Sequence, residues 1–474
     1  MNMQTDKQVR IDRWIADHTD EMAEALCALA RIPSVAGEPA DGKPFGQGVA
    51  DALDYALGLA RQYGFETQNF EYRIGSALLP GRSGRELGLI AHLDVVPAGE
   101  GWACPPFAGT LDPDGWIVGR GVCDNKEAAI ISLFVMRCIR ELALPFPHGI
   151  RLLFGCDEET GMSDVAYYRA HGKLSDLYLV PDADFPVCYA EKGIYGADLC
   201  APPITDGSLL EAYAGEATNV VPDKAAAVLP GLRLEDVLPL CAGADVAAEN
   251  AAGGVRLTAA GVSSHAASPE TSVNAIHRLA AFIVRHRLAR GQAAAAFETI
   301  QTLLADYKGE ALGIAASEPD TGELTCIAGL LRLEDGALRL NVNIRYPRAT
   351  DGETLTRGLE AACARFGWRL ANVGDTPGIF RDRDDPLITT LTDIYNQVTG
   401  LSAAPYRMGG GTYARKLPNA VAFGPEMELP GLPACPYVGG IHQANEHIHV
   451  RMLTTSVKVF TLAFLAIAEN PDIL

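Results

Sequence analysis

Gly149-Ile-Arg-Leu-Leu-Phe-Gly155 runs directly into Cys156-Asp-Glu-Glu-Thr-Gly161. An apolar stretch of strand length thus ends in three consecutive carboxylates. Two other stretches repeat the pattern. Glu86-Leu-Gly-Leu-Ile-Ala-His92 continues into Leu93-Asp94-Val95-Val96-Pro97, and residues 176–180 continue into Pro181-Asp182-Ala183-Asp184. Residues 420–424 form a fourth apolar run. Helical periodicity appears over 12–32, 46–63 and 125–142. Short apolar strands alternating with helices predict an α/β layer with a largely parallel central sheet and helices on both faces. Ligands of such sheets bind beyond the carboxyl ends of the strands, where these His, Asp and Glu residues fall.

The middle of the chain has a different rhythm. Strand patterns at 255–260, 323–333, 337–346 and 368–373 enclose helical patterns at 269–288 and 351–366, with a turn at Glu334-Asp335-Gly336. This β-α-β-β-α-β order is ferredoxin-like, an α+β unit. Its position between pieces of the first sheet predicts an inserted lid domain over 191–381, enlarged by further short strands in 191–250. The catalytic domain is then discontinuous, over 1–190 and 382–474.

Composition narrows the chemistry. The 474 residues carry 39 basic and 59 acidic side chains, a formal charge of −20. Without a basic face, nucleic acid is not an expected partner. The eleven cysteines are scattered singly, with no C-x-x-C, which points to a reducing cytoplasm. The first twenty residues mix charges throughout and show no signal-peptide pattern. The apolar run at 128–136 is far short of the ~20 residues that span a bilayer, so no membrane association is expected.

Several carboxylates gathered at one sheet edge would repel one another strongly, and a divalent cation is the simple remedy. His92 and Asp94, at i and i+2 on an extended segment, point to the same side. That suits a metal-ligating imidazole oriented by a carboxylate. Glu158 and Glu159 are adjacent and face different ways, so one can ligate while the other serves as a general base. Asp124, in Gly119-Arg-Gly-Val-Cys-Asp-Asn-Lys126, stands just before a helix on a fourth segment.

Taken together, H-L-D-V-V-P, W-A-C-P-P-F, G-R-G-V-C-D-N-K, G-C-D-E-E-T-G and P-D-A-D-F-P resemble the aminoacylase and carboxypeptidase-G superfamily of two-metal peptidases. G-G-G-T-Y-A-R (409–415) and H-Q-A-N-E-H (442–447) narrow the likeness to PepV-type dipeptidases. The resemblance implies two divalent ions. Zinc is the first expectation, with manganese or cobalt as alternatives. It implies His92, Asp124 and Glu159 around one ion, and Asp124, Asp182 and His442 around the other. Asp94 is implied as the partner of His92, and Glu158 as the base that activates a bridging water. In the lid, it implies His265 as oxyanion stabiliser and Asn219 and Arg345 as substrate contacts; in the catalytic domain, the loop Gly410-Gly411-Thr412 offers bare backbone N–H groups close to a ligand. Many relatives carry Asp-Lys-Gly after the bridging Asp and a cis peptide at that bond. Here the sequence is Asn125-Lys126-Glu127.

The expected activity is hydrolysis of a peptide bond in dipeptides or short peptides with a free C-terminal carboxylate. An N-acyl amino acid amidohydrolase is the near alternative. The two differ in need of a carboxylate, such as Asp94, for a substrate ammonium. A binding protein on the same scaffold would be expected to have lost Glu158 or a ligand, and this chain retains them. The enlarged insert predicts a monomer whose lid hinges near 190–192 and 378–382, with a homodimer as the alternative.

Overall fold

The computed structural model describes residues 3–470 and 472–473. The chain divides into two compact units: residues 1–189, 381–406 and 412–474, and residues 190–380 with 407–411. The segment 407–411 therefore goes with the second unit, whereas the sequence reading kept it with the first.

Four adjacent strands of the first unit are parallel. Gly149–Gly155 pairs with Glu86–His92, which pairs with Leu177–Val180, which pairs with Ala420–Ala422. Ile74–Leu79 then adds antiparallel to the outer edge of Gly149–Gly155, and Glu66–Phe70 adds to Ile74–Leu79. Every residue of Glu86–His92 and Gly149–Gly155 is buried, which explains their largely apolar character, and the two charged residues inside them, Glu86 and Arg151, pair with each other at 2.9 Å. At Gly88 an added Cβ would stand 2.2 Å from the Tyr178 ring of the neighbouring strand, so only glycine lets the two strands pair. His92 is in register with Gly155. The segments beginning at Leu93 and Cys156 therefore leave the sheet at the same edge.

Helix Lys126–Glu141 packs on both of these strands and is buried over nearly its whole length. It also meets the helices Thr19–Ala30 and Val450–Glu469. The expected helix over 12–32 is two helices, Met3–Asp17 and Thr19–Ala30, broken at His18. Val450–Glu469 is long and apolar enough to cross a membrane, and the sequence reading did not single it out. Its most apolar window is 67% buried, and it packs on Lys126–Glu141 and Pro386–Thr399, as a core helix does.

The second unit is built on an eight-stranded sheet in which every pairing is antiparallel. The expected strand–helix order is present in Gly254–Ala260, Ala275–Arg285, Thr325–Glu334, Ala337–Tyr346, Gly352–Ala364 and Arg369–Thr376. The additional strands do more than extend an edge. Lys224–Pro230 and Glu211–Ala214 lie between Gly254–Ala260 and Thr325–Glu334, and Gly193–Cys200 lies between Ala337–Tyr346 and Arg369–Thr376. A further helix, Gly291–Leu303, packs on Ala275–Arg285.

A candidate dinuclear metal centre

Parallel pairing delivers the acidic segments to one edge, and hydrogen bonds then fix each ligand. The Nδ1 of His92 lies 2.8 Å from the carbonyl oxygen of Asp94. A carbonyl can only accept, so Nδ1 carries the proton and Nε2 is left as the donor atom for a metal. That Nε2 is 2.9 Å from Asp124 Oδ1 and 3.9 Å from Asp182 Oδ1. The second Asp124 oxygen, Oδ2, is 3.0 Å from His442 Nε2, which is also 3.1 Å from Glu159 Oε1. Asp124 thus presents one oxygen to each histidine.

Burial opposes charge on His92, but Asp124, Asp94 and Asp182 outweigh it and hold the ring's pKa well above its usual value. Burial would likewise raise Asp124, yet His442 and His92 hold it well below the usual carboxylate range. Burial, with Asp124 nearby, pushes Asp182 well up. Glu158 is pushed well up by burial and then by Asp182. A largely buried set of carboxylates and imidazoles whose charges need one another is the donor set a divalent cation satisfies. Donor atoms of His92, Asp124 and Glu159 all lie within 4.8 Å of one another. The five residues fit two such ions. The shortest distances favour a different sharing of the outer carboxylates from that implied by the resemblance. Asp182 lies by His92, and Glu159 by His442.

Asp94 departs from its expected part. Its carboxylate is 3.6 Å from His92 Nδ1, while its own carbonyl takes the ring's proton. The carboxylate instead accepts the amide N–H groups of Glu158 at 3.2 Å and Glu159 at 3.0 Å. With no exposed surface and both oxygens engaged, it is not available to bind a substrate ammonium.

The supporting parts played by Glu446, Asn125 and Lys126 were not readable in the sequence. Glu446, fully buried, accepts the amides of Cys123 at 2.8 Å and Asp124 at 3.2 Å and pairs with Arg120 at 2.6 Å. Asn125 accepts from the His92 amide and donates to the carbonyl of Pro181, joining two strand ends beside Asp124. The Asp124–Asn125 peptide is cis. Lys126 donates to the carbonyls of Leu29 and Ile32, and burial pushes its pKa down to about 7. Glu127 is wholly buried with both carboxyl oxygens unpartnered, and burial holds its pKa well above the usual value. His449 caps the last helix through the Arg451 amide, a structural part.

The second unit gathers the remaining candidates. His265 forms an isolated bridge with Val220, and Ala266 donates to the carbonyl of Asn219, so Asn219 and His265 are neighbours, both exposed. Arg345 is buried, with Nε on Asn343 Oδ1 at 3.0 Å and one terminal nitrogen on the carbonyl of Gly409 at 2.9 Å. An added Cβ at Gly409 would stand 2.7 Å from the Ala267 side chain. Thr412, placed with the first unit, is buried and caps the short helix Tyr413–Lys416 through the Ala414 amide.

Residues 88–466 match the peptidase family M20/M25/M40. This chain belongs to that family. It is 32% identical over 457 residues to the putative dipeptidase YtjP of Bacillus subtilis, covering 93% of this chain and 95% of that protein. It is 29% identical over 441 residues to a Beta-Ala-Xaa dipeptidase of Lactobacillus delbrueckii subsp. lactis, covering 91% and 92%. Among solved structures it resembles the di-peptidase Dug1p of Saccharomyces cerevisiae, with a TM-score of 0.60 at 14% identity over 98% and 99% of the two chains. Human carnosine dipeptidase 1 gives a TM-score of 0.56 at 17% identity, over 98% and 99%. At those identities the structural likeness speaks to the fold of this M20/M25/M40 peptidase.

Proposed function

We infer that this chain is a metal-dependent hydrolase of dipeptides and short peptides with a free C-terminal carboxylate. The observation that carries the reading is Asp124, held between two imidazoles with one oxygen toward each, beside two further carboxylates. Asp124 would bridge two divalent ions, one also held by His92 and Asp182, the other by Glu159 and His442. When bound, such ions supply Lewis acidity to the scissile carbonyl and lower the pKa of water. Zinc is the first choice for this set, ahead of manganese and cobalt.

The chain's own residues supply the proton chemistry and the positioning. Glu158 takes a proton from the attacking water on its carboxylate and passes it to the leaving amine. Asp94 fixes the amides of the two glutamates, and Glu446 with Arg120 fixes the main chain of Asp124. His265 is the candidate donor to the carbonyl oxygen as it gains charge. Arg345 is the candidate for the substrate carboxylate, with Asn219 and the loop Gly410-Gly411-Thr412 as further contacts. A cytoplasmic monomer completes the reading. No disulfide joins the eleven cysteines among the described residues, which is consistent with that compartment.

Glu158→Gln is expected to retain both ions and lose about 10²–10⁴-fold in kcat. Near-normal turnover by that variant would remove Glu158 from the role. A panel of dipeptides, tripeptides and N-acyl amino acids, run on metal-depleted protein with each metal restored in turn, separates dipeptidase from deacylase. Faster turnover of N-acyl amino acids would reverse the assignment. Mixing His265→Ala with Glu158→Gln tests the monomer, since recovered activity would mean that His265 acts in trans.

A further inference from the structure

The four consecutive amides that lead from the central strand into the acidic turn are all bound by carboxylates. Cys156 and Asp157 donate to Asp164 Oδ2 at 2.7 and 3.2 Å, and Glu158 and Glu159 donate to Asp94 at 3.2 and 3.0 Å. Both acids are fully buried. A buried carboxylate needs donors around it, and two in one turn need more. Asp164 receives a further amide, from Val165, on Oδ1 at 2.7 Å. On Oδ2 it receives the hydroxyl of Tyr413 at 2.5 Å.

Tyr413 is wholly buried and comes from a distant part of the sequence, immediately after the glycine loop. Its ring leaves no room for a side chain at the last residue of the strand. A Cβ on Gly155 would lie 2.2 Å from the Tyr413 oxygen and 2.7 Å from the ring. The same ring stands edge-to-face with His92, centroids 6.5 Å apart. One side chain therefore touches the strand exit, the carboxylate that binds the turn's first two amides, and a metal-ligating imidazole.

We propose that Tyr413 is a positioning residue of the catalytic centre: through Asp164 it fixes the turn that aims Glu158 and Glu159. The proposal rests on the reading of Glu158 as base and Glu159 as ligand. Tyr413→Phe keeps the ring against Gly155 and removes only the hydroxyl. Misplacement of a reacting group by a fraction of an ångström to 1 Å costs up to about 10²-fold, so a loss of about tenfold in kcat is expected, with KM within about twofold. Asp164→Asn should lose at least as much. The double variant should be no worse than the poorer single, because both break one link.

The test uses full-length, metal-saturated protein, with melting temperature read on each sample and kcat measured well below it. Unchanged kcat in Tyr413→Phe, or losses that multiply in the double variant, would overturn the proposal. If Tyr413→Phe does not fold, Asp164→Asn alone decides by the same kcat and KM criterion. Chelator competition on the same samples separates this proposal from the wider reading. If wild type hydrolyses no peptide, the functional assignment fails. Tyr413 is then judged by metal affinity: weaker binding of one ion in Tyr413→Phe supports the positioning role, and unchanged binding of both rejects it.

Discussion

The two histidines of the candidate centre are held very differently. His92 closes a buried strand, is 1% exposed, and has its ring proton taken by the Asp94 carbonyl. His442 sits on an irregular loop with φ of 63°, its side chain 51% exposed. Its Nε2 meets Asp124 and Glu159, and its Nδ1 has no hydrogen-bond partner among the described residues. One end of the site is fixed before any ion arrives, and the other is fixed largely by what it binds. The ion at the His92 end should therefore be the tighter of the two, since orientation of the ligating imidazole contributes directly to affinity.

Asp124 is common to both ends, so its removal should have the largest effect. Asp124→Ala is expected to lose both ions and more than about 10³-fold in kcat, since even one electrostatic stabiliser is worth about 10²–10³. Elemental analysis showing two tightly bound ions in that variant would remove Asp124 from the bridge.

The histidine variants sharpen the contrast. His442→Ala should keep one ion, whereas His92→Ala should weaken both, because only the His92 ring is locked in place, by the Asp94 carbonyl, and so holds the shared Asp124 before any ion arrives. In wild type, graded chelation should release the ions in two steps about 10- to 100-fold apart in affinity. A single step, or equal losses in the two variants, would make the ends equivalent.

The same asymmetry governs what could be read from the sequence. His92, Glu159 and Asp182 stand at or just beyond strand ends, Asp124 just before a helix and His442 on a loop, each within a recognisable motif, so pattern and residue type together exposed the candidates. The supporting bonds were not legible, because they join residues far apart in the chain. Glu446 reaches the Asp124 amide from 322 positions away, and Tyr413 reaches Asp164 from 249. Asp94 was misread for a local reason. The i, i+2 rule put its carboxylate on the side of His92, but the main-chain carbonyl of the same residue lies closer to the ring nitrogen. The sharing of Glu159 and Asp182 was also beyond reach, since spacing along the chain does not give the distance of each to the two rings.

The smallest effect expected from the comparison is a pH dependence of the metal-free protein. Asp124 and Glu159 raise His442 to about 10, against burial that opposes its charge. The unfolded chain should titrate near 6.5. A raised imidazole contributes its full stabilisation below about pH 6.5 and loses it as pH climbs through about 10. Metal affinity should run the other way, because binding displaces the proton from the ring. With EDTA present, the melting temperature of wild type should therefore fall more steeply from pH 6.5 to 9.5 than that of His442→Gln. With half the side chain exposed, screening keeps the contribution to about 1 kcal/mol or less, so the difference should be no more than about 2–4 °C. With zinc present, the metal-induced rise in melting temperature should grow over the same interval in wild type and much less in His442→Gln. Parallel slopes for the two proteins in EDTA would show that His442 is not held as a cation in the metal-free centre. The loop would then owe its position to some other contact, and the contrast between the two ends would rest on the chelation steps alone.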